Sequence, residues 1–337
     1  MQKLALLAFT VSAILFSGCS SKKYFEPEHT FSASSASKSY GSNIVDISRD
    51  GGTLENGQYL GKAGVHALEL GEGYRFLNEN GAYVLATNSE GILRVISKKT
   101  KKSVNDIALN VPVVSASVRN GLVAYVLNNN AFGIYSLSRK SKILENRSEK
   151  VYAVDTRAAS PMFIENLVVL PMLDGKLVIV NVADTQSAKV VYLSSETTFN
   201  NVIYLGRMQN TMIASTPKRL ITLGGAGRLE YRANISEVAV DSGHIYVFTK
   251  EGKIISLNAS LNEIASKKFK FAHYAAGTAF GGRVYALDQQ GSLIVLNAAL
   301  TKYKVYDLGA VSEPAIMTGS KLYKDGDVIE LSKLGYE

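Results

Sequence analysis

The chain has 337 residues, 46% of them hydrophobic, and its 37 Lys and Arg outnumber 29 Asp and Glu, which gives a formal net charge of +8. This hydrophobic content is typical of a globular protein and excludes a chain that is disordered or fibrous throughout. One Cys and no Trp are present. A disulfide within the chain is therefore excluded, and Tyr and Phe must supply the aromatic packing.

The N-terminal residues have the pattern of a bacterial export signal. Lys3 precedes a short apolar run from Leu4 to Phe16, too short to span a bilayer. The run leads into Leu-Phe-Ser-Gly18-Cys19, which resembles the lipobox of bacterial lipoproteins, although that motif prefers Leu where Phe16 stands. We predict a signal peptide over residues 1–18, cleavage between Gly18 and Cys19, and acyl chains such as palmitate on Cys19. The alternative is an ordinary secretory signal with a chance Cys.

Residues 19–43 are rich in Ser and Ala, a composition that predicts a flexible tether rather than a packed core. Ser20 follows the predicted lipidated Cys. By resemblance to lipoproteins of bacteria with two membranes, this residue implies sorting to the outer membrane, with the periplasmic face as the default location.

From there to the C-terminus a hairpin pattern recurs. A Gly or Asn opens an apolar strand, a polar turn follows, and a second apolar strand leaves it. The clearest copies begin at Gly243 and Gly282, each with a turn Gly nine positions later. The openers lie 33 to 45 residues apart and are Gly81, Gly121, Asn166, Asn210, Gly243, Gly282 and Gly319. A period near 40 residues indicates a repeat architecture.

Further apolar strands precede and follow several hairpins, and four strands per repeat is typical of a propeller blade. We therefore predict an all-β fold over residues 44–337, a seven-bladed β-propeller of four-stranded antiparallel blades. The hairpin at Gly319 ends too near the C-terminus for a fourth strand. A segment near Asn43–Leu70 is expected to complete that blade, so that an N-terminal strand closes the ring. Alternatively, Asp50–Leu54 begins an eighth blade; an unrepeated β-sandwich fits the regular spacing poorly.

The segment from Ser160-Pro161 through Asp174-Gly175-Lys176 to Asn181 resembles a repeat of the pyrroloquinoline-quinone (PQQ)-type propellers. Together with the lipobox, the repeats resemble the BamB family, lipoproteins of the outer-membrane β-barrel assembly machinery, over about residues 44–331. The resemblance implies a scaffolding function and an eight-bladed ring, one blade more than the hairpins counted. The quinone enzymes carry a Trp in each blade, which this chain lacks, so no cofactor is expected.

No catalytic or metal-binding constellation is recognised. His29, His66, His244 and His273 have no metal-ligand spacing, and no Gly-x-Ser-x-Gly element occurs. The Gly-Gly-Ala-Gly run at 224–227 leads into a strand rather than a helix, so it predicts a turn and not a phosphate loop. We expect no enzymatic activity, no cofactor and no metal.

Two basic turns are predicted to lie close together. They follow equivalent strands of neighbouring blades and comprise Lys98, Lys99, Lys101, Lys102, Arg139, Lys140 and Lys142, here called the basic patch. It would suit anionic lipid or an acidic partner. The alternative is a solvated surface that keeps strand edges soluble.

These observations predict a non-enzymatic outer-membrane lipoprotein that scaffolds envelope proteins, with barrel-protein assembly as the first candidate. We expect a monomer within a hetero-complex, membrane attachment through the lipid, and no nucleic-acid partner, because the chain is exported. The alternatives are a surface-exposed lipoprotein that binds a ligand or host molecule, and an enzyme that holds Ca²⁺ in the central channel.

Overall fold

Apolar runs bounded by Gly and Asn turns form antiparallel strands along the chain. The computed structural model describes residues 23–33, 37–155, 157–225 and 227–337. In these residues the strands form eight antiparallel sheets, each a blade of a β-propeller. Every hairpin expected from the sequence is present, and the eighth blade, weighed as the alternative, is found at Ile44–His66.

The strands are given blade by blade, from the first to the fourth. Blade 1 comprises Ile44–Ser48, Gly51–Leu54, Tyr59–Gly61 and Gly64–His66, and blade 2 comprises Arg75–Glu79, Tyr83–Thr87, Ile92–Ser97 and Ser103–Ala108. Blade 3 comprises Val113–Arg119, Leu122–Leu127, Ala131–Ser136 and Ser141–Arg147, and blade 4 comprises Met162–Ile164, Leu167–Pro171, Lys176–Asn181 and Asp184–Tyr192. Blade 5 comprises Tyr204–Met208, Thr211–Ser215, Arg219–Gly224 and Gly227–Arg232, and blade 6 comprises Ile235–Asp241, His244–Thr249, Lys253–Leu257 and Glu263–Lys268. Blade 7 comprises Tyr274–Phe280, Arg283–Asp288, Ser292–Asn297 and Tyr303–Asp307. Blade 8 comprises Ile316–Thr318, Lys321–Lys324, Asp327–Glu330 and, from the N-terminal part of the chain, Ser37–Ser39, and a 3-10 helix follows at Leu331–Lys333.

An N-terminal strand closes the ring, as predicted, but it is not the segment that the sequence indicated. Ser37–Ser39 pairs antiparallel with Asp327–Glu330, with Lys38 opposite Val328. The segment near Asn43–Leu70 instead builds a blade of its own. Its strands are short and its second strand begins with two glycines, so the repeat is faint there.

The structure also differs from the prediction of a flexible tether over residues 19–43. Phe31–Ser32 adds a fifth strand to blade 7, parallel to Tyr303–Asp307, and Ser37–Ser39 lies in blade 8. An edge strand is held by main-chain hydrogen bonds, which any composition can make, so a Ser-rich sequence does not exclude it. The predicted signal and Cys19 lie outside the described residues.

The core is divided among the joints between blades. Among the described residues, the buried hydrophobic side chains form eight clusters, one for each pair of neighbouring blades. The cluster between blades 8 and 1 has the fewest buried members: Ile44, Leu54, Leu60 and Tyr323. The joint between the last and first blades therefore has the smallest fully buried core of the eight.

The turn glycines that revealed the repeat fix how each blade leads to the next. Gly252 and Gly291 have positive φ, 75° and 93°, where a side chain is strained. Their carbonyls accept hydrogen bonds from the chain leaving the fourth strand, from Phe269 N at 2.8 Å and Leu308 N at 3.0 Å. A Cβ on Gly291 would overlap the Gly309 carbonyl.

Candidate interaction surfaces and the central channel

Both turns of the basic patch lie at one end of the ring. Each connects the third and fourth strands of its blade, in blades 2 and 3, which are neighbours. Six of the seven residues are exposed, and Lys98 is partly buried. The turns that join first and second strands emerge at the same end, since strands alternate in direction within a blade.

Two of the seven charges are already paired. The Lys98 ammonium forms an ion pair with Glu79, and Lys142 Nζ lies 2.8 Å from Glu145 Oε2. Lys101 Nζ donates to the carbonyl of Ala67 at 3.3 Å. Lys98 is therefore a structural residue, whereas Lys142 makes an exposed pair that contributes little. The grouping of the seven residues into one binding surface stays a prediction.

Two cavities of about 490 and 270 Å³ occupy the centre of the ring, and they are lined mainly by residues in or next to the first strands of the blades. Arg49 and Tyr204 line both cavities. The first cavity is also lined by Lys62, in the turn between the third and fourth strands of blade 1, and by Arg119, the last residue of the first strand of blade 3. Both lie at the same end as the basic patch. Lys62 Nζ lies 3.6 Å from Asp50 Oδ1, a carboxylate of the same cavity. Sequence reasoning missed these two cations because neither belongs to a charge run.

The turn that follows the first strand of blade 1 crosses the channel. Arg49 Nη2 lies 2.6 Å from Glu237 Oε1 in blade 6, and its guanidinium is 5.3 Å from the ring centre of Tyr204 in blade 5. Next to it, Asp50 Oδ2 accepts a hydrogen bond from Ser160 Oγ at 2.6 Å. Blades 1 and 5 are opposite in a ring of eight, so this turn ties together opposite sides and divides the channel.

Burial by itself disfavours the charge on Arg49, but the Glu237 carboxylate outweighs it and raises the pKa of the guanidinium. Burial raises the pKa of the Tyr204 hydroxyl, because it disfavours the charged phenolate. Arg49 therefore stays charged and paired. No sequence signal marks these contacts, which join residues far apart along the chain.

Glu79 is a buried carboxylate in the wall of the larger cavity. It accepts hydrogen bonds from Tyr59 Oη at 3.0 Å and from the Lys62 N–H at 2.9 Å, besides its ion pair with Lys98. Burial raises the pKa of Glu79, but the hydrogen bonds from Lys98, Tyr59 and Lys62 outweigh burial and leave it below its usual value. His66 Nε2 lies 3.9 Å from Glu79 Oε1, and its ring stacks on Tyr59. This arrangement holds an ionised carboxylate in place.

The remaining residues singled out in the sequence have local contacts. His244 Nδ1 is 3.1 Å from Ser256 Oγ, and the backbone N–H of His273 donates to Asp288 Oδ2 at 2.7 Å. His29 lies at the outer edge of the ring. Gly224 pairs with Gly227 in a hairpin of blade 5, so the glycine-rich run is a turn. Across the described part of the chain, no group of three His, Cys, Asp or Glu could hold a metal ion.

No helix among the described residues is long and apolar enough to cross a membrane. Gly18 and Cys19, the predicted processing and lipidation residues, lie outside the described residues.

Comparison with known proteins identifies two relatives by sequence. The chain is 30% identical over 314 residues to the plasminogen-binding protein PgbB of Helicobacter pylori strain J99, a match that covers 79% of this chain and 58% of the relative. The protein of the same name from strain 26695 is 29% identical over 310 residues, covering 78% and 57%. The chain thus spans less than two thirds of these relatives. No protein-family model matches the sequence.

Comparison with solved structures shows the fold. The crystal structure of BamB from Moraxella catarrhalis aligns with a TM-score of 0.69 at 12% identity, covering 87% of this chain and 98% of that chain. The C-terminal WD40 domain of Sif2 aligns at 0.63 and 10% identity, covering 86% and 95%. The fold is therefore a BamB-like β-propeller. Features specific to the PQQ-type repeat stay a prediction.

Proposed function

We propose that this protein is a non-enzymatic, lipid-anchored protein of the outer membrane whose propeller binds other proteins. The observation that supports the binding of other proteins is the similarity to PgbB, which extends over 79% of this chain. The lipid anchor and the outer-membrane location rest on the sequence pattern around Cys19. An extracellular protein such as plasminogen is then the first partner to test. This corresponds to the surface-exposed, host-binding alternative considered from the sequence.

The basic patch is the candidate contact surface. Lys99, Lys102 and Lys140 are exposed at one end of the ring, and exposed cations accelerate association with an acidic partner. Because part of each PgbB relative is not covered by this chain, the binding must be measured with this chain itself.

The test is binding of purified lipoprotein to immobilised plasminogen by biolayer interferometry. Saturable binding is expected, with an affinity that falls about tenfold for the triple variant Lys99→Glu, Lys102→Glu, Lys140→Glu and weakens at higher salt. The control variant carries Lys189→Glu on the fourth strand of blade 4 and should bind like the unaltered protein. Absence of saturable binding would exclude plasminogen as the partner.

A second candidate is scaffolding of barrel-protein assembly, favoured by the fold likeness to BamB over 98% of that chain. The two candidates place the protein on different faces of the outer membrane. Protease treatment of intact cells should cleave a surface-exposed ring and spare a periplasmic one. If the ring is spared, crosslinking in cells should recover the barrel-assembly machinery, and its absence from the crosslinked material would leave this candidate without support.

The lipid anchor has its own test. Cells fed an alkyne-tagged palmitate analogue should label the unaltered protein and leave the Cys19→Ala variant unlabelled. Labelling that persists in the variant would show that Cys19 is not the acylated residue.

A further inference from the structure

The described N-terminal segment, residues 23–33, lies along the outer edge of blades 6 and 7. Phe25 packs edge-on against Phe269 with ring centres 5.8 Å apart, and the ring centres of Phe31 and Tyr306 are 6.2 Å apart. Together with the strand pairing of Phe31–Ser32, these contacts hold the segment on the ring. Between the segment and the blades is a groove of about 440 Å³.

Large aromatic side chains remain exposed around this groove. Phe31, Phe271 and Tyr303 expose 48%, 38% and 45% of their surface. Tyr24, at the beginning of the described segment, exposes 42%. Aromatic rings left this exposed and close together on one rim are characteristic of a surface that contacts something else.

Each of three exposed rings has a lysine ammonium above it. Lys304 Nζ lies 4.6 Å from the centre of Phe31, Lys267 Nζ 4.9 Å from Tyr303, and Lys270 Nζ 5.1 Å from Phe271. Lys23 Nζ also lies over the Phe271 ring, 5.6 Å from its centre, and Lys268 lines the groove. The acidic residues of the groove are Glu26 and Glu28, fewer than the lysines around it.

We propose that this rim patch, defined by Phe31, Lys268, Lys270, Phe271, Tyr303 and Lys304, rests on the anionic headgroup surface of the membrane that anchors the chain. Aromatic rings and lysines together are typical of the membrane interface, where the rings lie at the level of the headgroups and the lysines bind anionic lipid. The proposal rests on the proposed lipid anchor at Cys19.

The position of the anchor supports the same orientation. Cys19 precedes Lys23 by four residues, and four fully extended residues reach at most about 14 Å. An acylated Cys19 would therefore keep the rim of blades 6 and 7 close to the membrane. The ring would stand on its edge, leaving both of its ends, including the basic patch and the channel openings, accessible to protein partners.

Depth-dependent fluorescence quenching tests the orientation. The purified lipidated protein is reconstituted in vesicles of phosphatidylglycerol and phosphatidylcholine that contain a headgroup spin-labelled lipid, with a fluorophore on Lys268→Cys. The control fluorophore is on Asn146→Cys, an exposed position in the fourth strand of blade 3, opposite blade 7. We expect at least threefold stronger quenching at 268 than at 146, and weaker quenching at 268 in pure phosphatidylcholine. Equal quenching at the two positions, or no dependence on the anionic lipid, would overturn the proposal.

A second measurement separates this proposal from the anchor. The pelleting assay uses the same anionic vesicles and unacylated protein (residues 20–337), so that binding depends on the patch and not on the lipid. Lys268→Glu, Lys270→Glu, Lys304→Glu should reduce its bound fraction at least threefold. Lys99→Glu, Lys102→Glu, Lys140→Glu changes the net charge equally and should have little effect. If palmitate labelling fails while this difference holds, the anchor is wrong and the patch stands. If both unacylated variants bind alike while palmitate labels the full chain at Cys19, the anchor stands and the patch is wrong.

Discussion

At the scale of single residues, Glu79 shows how the ring stabilises a charge next to its channel. Its side chain is only 5% exposed and accepts from Tyr59, Lys62 and Lys98. An ionised group buried in this way is stable only while its donors remain, because an unpaired buried charge is costly. Gly61 is part of the arrangement, since a Cβ there would overlap the Glu79 carboxylate.

Replacing Glu79 with Gln should lower the free energy of unfolding at pH 7 by about 2 kcal/mol, because three donors lose a charged acceptor. The folded-state pKa of Glu79 is lowered, so its stabilising contribution is fully present above about pH 4.3 and is lost as the pH falls through the folded value. Urea unfolding at pH 7 and at pH 3.5 should therefore show a smaller difference between variant and unaltered protein at the lower pH.

The control is Glu145→Gln, which breaks the exposed pair with Lys142 and should change stability by less than about 0.5 kcal/mol. Equal losses for the two variants would contradict the assigned role of Glu79.

At the scale of elements, the glycine in the turn between the second and third strands meets two structural requirements. In blade 7, Gly291 needs a positive φ and also touches the chain that leads to blade 8. The sequence shows the first requirement, since a Gly at a hairpin turn is a recognisable signal. It does not show the second, because the approach of Gly309 depends on where the fourth strand ends.

Gly291→Ala should therefore lower the free energy of unfolding more than the same substitution at an ordinary turn glycine. We expect a loss of about 3 kcal/mol, from the strained φ together with the displaced linker. Gly243→Ala is the matched control: its φ is also positive, 82°, but nothing lies within 4 Å of its Cβ position. Gly243→Ala should lower the free energy of unfolding by only about 1 kcal/mol. Thermal and urea unfolding of the pair measure the difference, and equal losses would show that the linker contact is unimportant.

At the scale of the whole molecule, stability depends on closing the ring. The joint between blades 8 and 1 has the smallest buried cluster, centred on Tyr323. The closing strand Ser37–Ser39 is short and polar. Tyr40, which follows it, donates its N–H to the Gly326 carbonyl at 2.9 Å. Hydrogen-bonded pairs alternate along antiparallel strands, so the Lys38 N–H donates to the same neighbouring strand.

Lys38→Pro should detach the closing strand from blade 8. It removes a ladder donor, at a cost of about 2 kcal/mol, whereas Lys38→Ala keeps the donor and serves as control. Hydrogen exchange should then show faster exchange of the amides in Asp327–Glu330 for the Pro variant only. Unchanged protection would mean that blade 8 is held without its N-terminal strand.

The sequence alone determined the features that have a local physical cause. Alternating apolar residues and turn glycines predicted the hairpins and, from their period, the propeller, because strand and turn preferences depend on neighbours in the chain. The number of blades is less evident in the sequence, because the short strands of blade 1, with Gly51 and Gly52, carry little hydrophobic signal. The composition predicts a tether where the structure has the closing strand and the strand at Phe31–Ser32, because edge pairing uses main-chain groups and leaves no mark in composition.

Contacts between distant residues follow from the tertiary structure. Arg49 reaches Glu237 and Tyr204 across the channel, and Lys98, which the sequence placed in a solvent-facing basic turn, is paired with Glu79. The rim patch likewise exists only because the N-terminal segment lies beside the end of blade 6 and the fourth strand of blade 7. Ring closure brings these residues together over long sequence separations, and the energy of such contacts depends on distance in space, which no periodicity in the chain encodes.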